Sequence, residues 1–353
     1  MTIFDQSIQR IGFCCKYMDA DQTQKPKVLK ELQQKYTDKS TTVAWLNRQT
    51  RAVAEERMLD IITHNMQAAY NLVDYVGNLV PERRMVRLSS SLVPMATEPN
   101  WRYIIEDPAN NKLLEQGFAK IGELARAKDV RLSFHPGQFT VLASDNPDIV
   151  DRSIDEFEYH VNMARWMGYG KQFQDFKINV HISGRKGWQG IIDALPRLSP
   201  EARNTITIEN DEMCHGLDAS LMLKDHLALV LDIHHHWIRD EEYIQPNDDR
   251  VKMVIDSWRG VRPAMHYSYS RDHGLAMALQ EGEEINHNKL QDLPALLEAG
   301  AKKQKLRAHS DHYPNYEANE WAISFWDQFD IQCEAKAKNL ASEQLWLQAT
   351  ETS

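Results

Sequence analysis

Short apolar runs that each end in a histidine or a carboxylate recur along this chain, and they constrain its fold more than any other feature. Runs of this length are typical of buried parallel strands. A (β/α)8 barrel builds its functional site at the carboxyl ends of its strands, so the repeated pattern predicts a TIM barrel with a polynuclear metal site. The residues that close these runs are His135, His181, Glu209, Asp232, His266, His309 and Glu334.

The segments between the runs carry helical patterns. Apolar residues step by three or four over 59–76, 114–125 and 157–164, and Gly168 stands where the last of these helices would end. Strands that alternate with helices favour a parallel sheet, and eight such units favour a closed, single-domain α/β barrel. The eight predicted strands are 11–16, 85–90, 130–135, 177–181, 205–209, 228–232, 262–267 and 329–334.

Three segments depart from this alternation. Residues 19–47 are rich in Lys and Gln and predict a polar loop with a short helix. Residues 268–306 separate the seventh strand from His309 and predict an insertion, with an acidic helical pair at 275–304. Residues 339–353 are expected to form a C-terminal tail. A chain of 353 residues accommodates one barrel with such additions.

Composition limits the class of protein. Hydrophobic residues at 42% and charged residues at 26% indicate a soluble globular chain. The net charge of −10 argues against bulk nonspecific binding to polyanions, although bound cations or a local basic surface can reverse the sign locally. We expect no transmembrane helix and no signal peptide. Four scattered cysteines without CxxC spacing favour reduced thiols in a cytoplasmic protein, and we expect a monomer.

The residue types at the strand ends favour metal chemistry. Imidazole nitrogens and carboxylate oxygens together suit Mn²⁺, Zn²⁺ or Fe²⁺. Glu209, Asp232 and Glu334 in one pocket would repel one another, and two or three divalent ions would offset that repulsion. His235 lies three residues after Asp232 and can face the same centre, whereas its neighbours His234 and His236 need not. A phosphodiester suits such a cluster, but sugar isomerases use similar barrels, so these residues leave the substrate open.

The motifs around these residues resemble the UV damage endonuclease family from about residue 11 to residue 338. They are, in order, IGFCCKYM, VRLSSSLVP, LSFHPGQF, NVHISG, IENDE, LDIHHH, WRG, HYS, AHSDH and CEAKAK. LSFHPGQF, IENDE and LDIHHH are the most specific of them. The resemblance implies a barrel similar to endonuclease IV that nicks damaged double-stranded DNA on the 5′ side of UV photoproducts and other distorting lesions. It also implies a metal cluster in which Mn²⁺ is favoured and Zn²⁺ is possible.

The resemblance assigns roles to individual residues. It implies that Glu209, Glu334 and His235 are catalytic, the two glutamates as bridging or anchoring carboxylates. Phe13, which stands where a tyrosine is common in the family, is expected to contact DNA, and so are Arg87, Trp258 and Arg259, which flank predicted strand ends. The implied metal ligands are His135, His181, Glu209, Asp232, His235, His266, His309 and Glu334.

Gln138 and Phe139 follow His135 where the family usually has Gln-Tyr, a pair that wedges into the duplex at the lesion. An aromatic ring can replace lost base stacking, worth about 1–3 kcal/mol per base. A damaged site costs less to open than an intact one, so a wedge gives selectivity without reading base edges. We therefore expect these two residues to probe the lesion.

Ala264 is a departure from the family pattern. The family often has a lysine there, two residues before the seventh-strand histidine, whose side chain can carry a carboxylate adduct at the metals. Fewer ions, a water or another side chain in the gap, or weaker activity are the possible consequences. Two other functions remain open: a metal-dependent sugar isomerase or epimerase on the same barrel, and a damage-binding protein with a defective cluster.

Overall fold

A computed structural model describes residues 4–351. Eight parallel strands form a closed barrel in which each strand pairs with the next along the chain and β8 pairs with β1. The TIM barrel predicted from the sequence is therefore confirmed. The strands are β1 Ile11–Cys14, β2 Met85–Arg87, β3 Arg131–Phe134, β4 Lys177–His181, β5 Ile206–Glu209, β6 Ala228–Asp232, β7 Ala264–Tyr267 and β8 Asp330–Cys333.

Helices surround the barrel, and the three helical patterns predicted from the sequence lie within α3, α5 and α6 as defined below. Gly168, with a φ of +90°, follows α6 as expected for a residue that ends a helix. The helices are α1 Pro26–Gln33, α2 Val43–Leu46, α3 Arg51–Gly77, α4 Tyr103–Glu106, α5 Pro108–Ala127, α6 Pro147–Trp166, α7 Gly187–Ala194, α8 Pro200–Thr205, α9 Leu217–Leu221, α10 Ile233–Asp240, α11 Asp249–Ser257, α12 Asp272–Leu275, α13 Leu293–Glu298, α14 Lys303–Leu306, α15 Tyr316–Ile323 and α16 Lys338–Glu351.

Polar residues fill much of the barrel interior. Near the amino ends of the strands, the Asp330 carboxylate accepts hydrogen bonds from Arg131 at 2.6 Å and from Arg262 at 2.7 Å. Farther up, Thr207 donates to Asn179 at 2.8 Å, and Asn179 donates in turn to Glu209. Buried polar groups are tolerated because they satisfy one another. This column leads from the floor of the barrel to the strand ends that carry the predicted ligands.

The additional segments differ in part from expectation. Residues 19–47 hold α1, a short 3₁₀ turn and α2, in accord with the predicted loop and short helix. In the 268–306 segment the prediction of an acidic helical pair is wrong. Only the short helices α12, α13 and α14 and one 3₁₀ turn form there, and the acidic residues near 281–284 lie outside them.

The segment predicted as a C-terminal tail forms the helix α16. Helix α16 packs against β1 and buries Ala341, Leu345 and Ala349, because its small and apolar residues return to one face every four residues. Within residues 4–351, no helix is both long enough and apolar enough to cross a membrane.

Candidate metal centre

The predicted ligands lie at the carboxyl end of the barrel. His181, Glu209 and Asp232 are the last residues of their strands, and His135 and Glu334 each come directly after a strand. Because the strands are parallel, their carboxyl ends meet on one face. His309 lies elsewhere along the chain, between α14 and α15, where it forms an isolated bridge with Ser270. The expectation that His309 ends a strand of the barrel is wrong, although its Nδ1 comes within 3.9 Å of Glu334.

Glu209 is the centre of the cluster. Its Oε1 lies 3.0 Å from His266 Nδ1 and 3.5 Å from His235 Nδ1, and its Oε2 lies 3.4 Å from His135 Nε2 and 3.8 Å from His181 Nε2. Burial alone would raise the pKa of Glu209, but the surrounding histidines outweigh burial and hold it well below its usual value. The carboxylate is therefore ionised and shared among four imidazoles.

Helix α10 begins immediately after β6, and this geometry directs two ligands to one point. Asp232 caps the helix, its Oδ1 accepting a hydrogen bond of 2.7 Å from the backbone N–H of His235. The His235 side chain then turns back toward the strand end, with its Nε2 3.7 Å from Asp232 Oδ2. Burial lowers the pKa of His235, but the carboxylates of Asp232, Glu209 and Glu212 outweigh burial and raise it to about 10.

Four histidines have their Nδ1 within hydrogen-bond distance of an acceptor. Nδ1 of His135 lies 2.9 Å from the Pro136 carbonyl, and that of His309 lies 3.1 Å from the Glu334 carbonyl. The acceptors for the other two, His235 and His181, are the Asn210 carbonyl at 3.0 Å and the Asp211 carboxylate at 3.2 Å. A hydrogen bond at Nδ1 fixes the ring and leaves Nε2 free to coordinate, as is usual behind metal-bound histidines.

The ligand atoms fit divalent cations. Three sets of three atoms lie within 4.8 Å of one another: His135 with His181 and Glu209, His181 with Glu212 and His235, and Glu209 with Asp232 and His266. Burial raises the pKa of Asp232, with added repulsion from Glu209 and Glu334, so the carboxylates oppose one another without a cation. Asp232 Oδ2 and Glu212 Oε2 are buried and have no hydrogen-bond partner among the described residues. Divalent metal binding would satisfy both atoms.

Lys177 enters the site from β4, which the sequence did not reveal. Its Nζ lies 2.8 Å from His266 Nε2, and burial lowers its pKa to about 7. Ala264, where the family often has lysine, is the first residue of β7 and packs with Ala228 and Trp258. The chain therefore brings a lysine to the seventh-strand histidine from a different strand. The alternation of KINVH, which puts Lys177 on the same side as His181, was the available signal.

Three of the residues expected to contact DNA are placed elsewhere. Phe13 is 1% exposed and packs in the hydrophobic core, since alternation in β1 turns it outward beneath the helices. Trp258 and Arg259 lie before β7, at the opposite end of the barrel. There Trp258 is fully buried and donates from Nε1 to the Leu229 carbonyl at 2.7 Å, and Arg259 lies over the Phe173 ring at 4.2 Å. Burial contradicts the predicted DNA contact of Phe13 and Trp258, whereas Arg259 is exposed but lies at the end of the barrel away from the candidate ligands.

Arg87 lies at the correct end but is engaged within the cluster. Its guanidinium donates to Glu334 Oε1, and the side chain is only 15% exposed. The Arg87 charge helps to hold the pKa of Glu334 well below its usual value, against the raising effect of burial. Arg87 therefore keeps a candidate ligand ionised, and Glu334 lies outside the three sets of converging atoms described above.

The loop after His135 projects from the carboxyl end. Phe139 is 84% exposed, the most exposed large apolar side chain in the described part of the chain. It rims a cavity of about 620 Å³ that Thr97, Val141 and Arg152 also line. Gln138 beside it is exposed. The Phe139 ring is therefore accessible from solvent at the carboxyl end of the barrel.

A basic segment lies beside this face. Residues 25–57 hold eight Lys and Arg against four Asp and Glu, in a chain of net charge −10. The segment is tied to the centre because Asp38 accepts a 3.0 Å hydrogen bond from Ser89, whose neighbour Ser90 donates to the His135 carbonyl. A cavity of about 740 Å³ in this segment is lined by Lys30, Lys39 and Arg57 among others.

These features define a class: a (β/α)8-barrel protein whose strand ends form a histidine and carboxylate centre for divalent cations. The family model described as "UV-endonuclease UvdE" matches residues 9–351. The chain therefore belongs to the UV-endonuclease UvdE family.

Individual relatives agree with this family. The UV DNA damage endonuclease of Bacillus mycoides (strain KBAB4) is 26% identical over 322 residues, covering 86% of each chain. That of Bacillus cereus (strain B4264) is 26% identical over 318 residues, covering 87% of each. The crystal structure of SacUVDE superposes with a TM-score of 0.68 at 21% identity, covering 98% of this chain and 97% of that one. Endonuclease IV from Thermus thermophilus gives a TM-score of 0.51 at 12% identity, covering 81% of this chain and 95% of that one.

Proposed function

We propose that this chain hydrolyses a DNA phosphodiester on the 5′ side of UV photoproducts and other distorting lesions, and so initiates excision repair. The observation that carries the proposal is the convergence of histidine and aspartate side chains on Glu209 at the open end of the barrel. Membership of the UV-endonuclease family supports the choice of DNA as substrate over a sugar. The active unit would be a monomer, acting on damaged double-stranded DNA in the cytoplasm.

The cofactor would be two or three divalent ions, with Mn²⁺ favoured and Zn²⁺ possible. Bound cations would polarise the phosphate, activate water and stabilise the leaving oxygen. Glu209 belongs to two of the converging sets, so it would supply ligand atoms to both positions. His135 would complete one position, and Asp232 and His266 the other. Glu334 and His309 would flank them. His181, whose Nδ1 is held by Asp211, has one free ring nitrogen and would serve one ion only.

The rest of the site would orient these groups. Asp211 and the Asn210 carbonyl hold the rings of His181 and His235, and Arg87 holds Glu334 ionised. Backbone N–H groups of Met213 and Cys214 donate to Asp211 Oδ1 at 2.7 and 2.6 Å, and they help to hold the pKa of Asp211 well below its usual value against burial. A fixed carboxylate behind a histidine ligand raises ligand basicity and prevents ring rotation.

DNA would approach across the open end of the barrel. Gln138 and Phe139 would enter the duplex at the lesion, and the basic segment 25–57 would contact the phosphate backbone. Phosphate contacts carry no sequence information, which suits an enzyme that recognises distortion. The exposed Phe139 has no evident use in an enclosed sugar pocket.

The Glu209→Gln variant tests the proposal. Loss of the central charge should reduce nicking of UV-irradiated plasmid in Mn²⁺ by about 100-fold or more, since even residues behind the ligands typically contribute about 10- to 100-fold. Glu115→Gln, an exposed position on α5, is the matched control and should nick like the parent. Near-parental nicking by Glu209→Gln would refute the assignment. Sugar turnover by a parent chain that nicks no DNA would favour the isomerase, and binding of damaged DNA without nicking would favour a recognition protein.

A further inference from the structure

Glu212, the last residue of the IENDE motif, is a buried carboxylate to which no role was assigned from the sequence. It is 7% exposed and lies three residues beyond Glu209, in the loop that follows β5. One of its oxygens, Oε1, accepts a hydrogen bond from the Arg307 guanidinium. The other, Oε2, is buried, has no hydrogen-bond partner within residues 4–351 and lies 3.5 Å from His235 Nε2. A buried anionic oxygen with no donor is costly unless a cation satisfies it.

Two histidines present the matching nitrogen atoms. His181 and His235 are both held through Nδ1, by Asp211 and by the Asn210 carbonyl, so each offers Nε2. Their ligand atoms and that of Glu212 lie within 4.8 Å of one another, and Glu209 is not a member of this set. Two imidazoles and one carboxylate form a donor set that borderline divalent ions accept.

We propose that Glu212 is a metal ligand that closes a separate cation position with His181 and His235. The proposal rests on the metal-dependent function proposed above and goes beyond it, because the resemblance to the family assigned no role to Glu212. Glu212 would supply an anionic ligand to a centre that has Ala264 where the family often has a lysine. The His181 side chain is 28% exposed, so solvent reaches this side of the centre.

Arg307 links the proposed cation position to the inserted segment 268–306. It follows α14 directly and lies two residues before His309. By occupying Oε1, its guanidinium fixes the Glu212 carboxylate with Oε2 turned toward His235. A charge-assisted bond of this kind keeps a carboxylate ionised and oriented. Arg307 is therefore a positioning residue that touches the ligand and not the cation.

Metal titration of the full chain tests the assignment. After chelation and buffer exchange, the parent, Glu212→Gln and Glu115→Gln proteins are titrated with Co²⁺, with calorimetry for stoichiometry and visible absorption for coordination. Glu212→Gln should bind one ion fewer per chain, or bind that ion at least about 10-fold more weakly, while the remaining ions bind as in the parent. Glu115→Gln should match the parent. An unchanged stoichiometry and unchanged affinities in Glu212→Gln would overturn the proposal.

The Arg307→Gln variant gives a second and independent test. The Arg307 side chain is 41% exposed, so this substitution alters a partly solvent-exposed position. It should weaken the same single ion by about 10- to 100-fold without affecting the others. If Glu212→Gln does not fold, a parental Co²⁺ titration of Arg307→Gln overturns the proposal. A parent that binds Co²⁺ but does not nick damaged DNA refutes the proposed function alone. A nicking parent whose Glu212→Gln variant binds all ions refutes only the role of Glu212.

Discussion

Each oxygen of Glu209 faces two imidazoles, and this single residue explains most of the electrostatics of the centre. The histidines lower its pKa, and its charge in turn raises that of His235. The pKa of the nearby Asp232 is raised instead, because the positive charge around it does not offset the effect of burial. A centre with such opposed shifts is typical of a functional site.

At the residue scale, Gln138 and Phe139 are the sharpest test of lesion recognition. If Gln138 and Phe139 form the proposed wedge, the double variant Gln138→Ala with Phe139→Ala should lose discrimination between damaged and undamaged duplex, because the stacking that the wedge would supply is removed. With stacking worth about 1–3 kcal/mol per base, the ratio of the two Kd values should fall by about 5-fold or more. The measurement is competition binding with one defined cyclobutane-dimer duplex.

Metal content should stay at the parental value in this variant, since neither side chain belongs to the converging sets. Met222→Ala, which removes another exposed apolar side chain near the amino end of β6, is the control and should leave discrimination intact. Equal discrimination by the double variant and the parent would contradict the role of the loop.

At the scale of elements, strands β3 to β8 carry most of the candidate ligands at or next to their carboxyl ends, and the loops that follow the strands surround the centre. Short strands of three to five residues suffice because pairing is continuous around the closed barrel. The basic segment 25–57 carries an excess of positive charge. Lys30 and Arg57 are exposed and form no ion pair with any residue that the structure describes.

Charge reversal in this segment should weaken DNA binding without altering the chemistry. Lys30→Glu with Arg57→Glu should raise KM for nicking and lower the dependence of log Kd on log salt concentration by about 1–2, because up to two phosphate contacts are lost. The kcat should stay within about twofold of the parent. Binding to damaged and undamaged duplex should weaken alike.

The matched control reverses two exposed charges near the amino ends of β4 and β5. Lys171→Glu with Arg203→Glu changes net charge equally, far from the centre, and should keep the parental salt dependence. Identical salt slopes for the two double variants would show that segment 25–57 does not contact the backbone.

At the scale of the whole molecule, stability should depend on the cations. The carboxylates of Glu209, Asp232 and Glu334 meet within a closed barrel, so removing the ions restores their mutual repulsion. Each independent site filled at 100 times its Kd contributes about 2.7 kcal/mol. For a chain of this size we expect the thermal unfolding midpoint to rise by about 3–5 °C per site in Mn²⁺ and to fall again on chelation.

Thermal unfolding in chelator, Mn²⁺ and Zn²⁺ measures this dependence. Glu209→Gln should lose most of the metal-induced shift, and Glu115→Gln should keep it. A midpoint that is the same with and without cations would argue against a structural metal centre.

The sequence by itself determined the barrel and the approximate position of its centre. Apolar runs with a polar residue at the end fix strand position, and eight units of alternating pattern leave few topologies besides a closed barrel. It also identified His135, His181, Glu209 and Asp232 as strand-end residues, because their spacing is local along the chain.

Only the tertiary structure decided which side chains share the centre. Lys177 contacts His266 across the barrel, and Glu212 contacts Arg307, which lies 95 positions away along the chain. Neither contact can be predicted from the residues that are close in sequence. Phe13 and Trp258 have sequence neighbours that suit a DNA-binding surface, yet alternation in β1 and the position before β7 bury them. Local patterns report the direction and period of an element, whereas the neighbours of a side chain depend on how distant elements close around it.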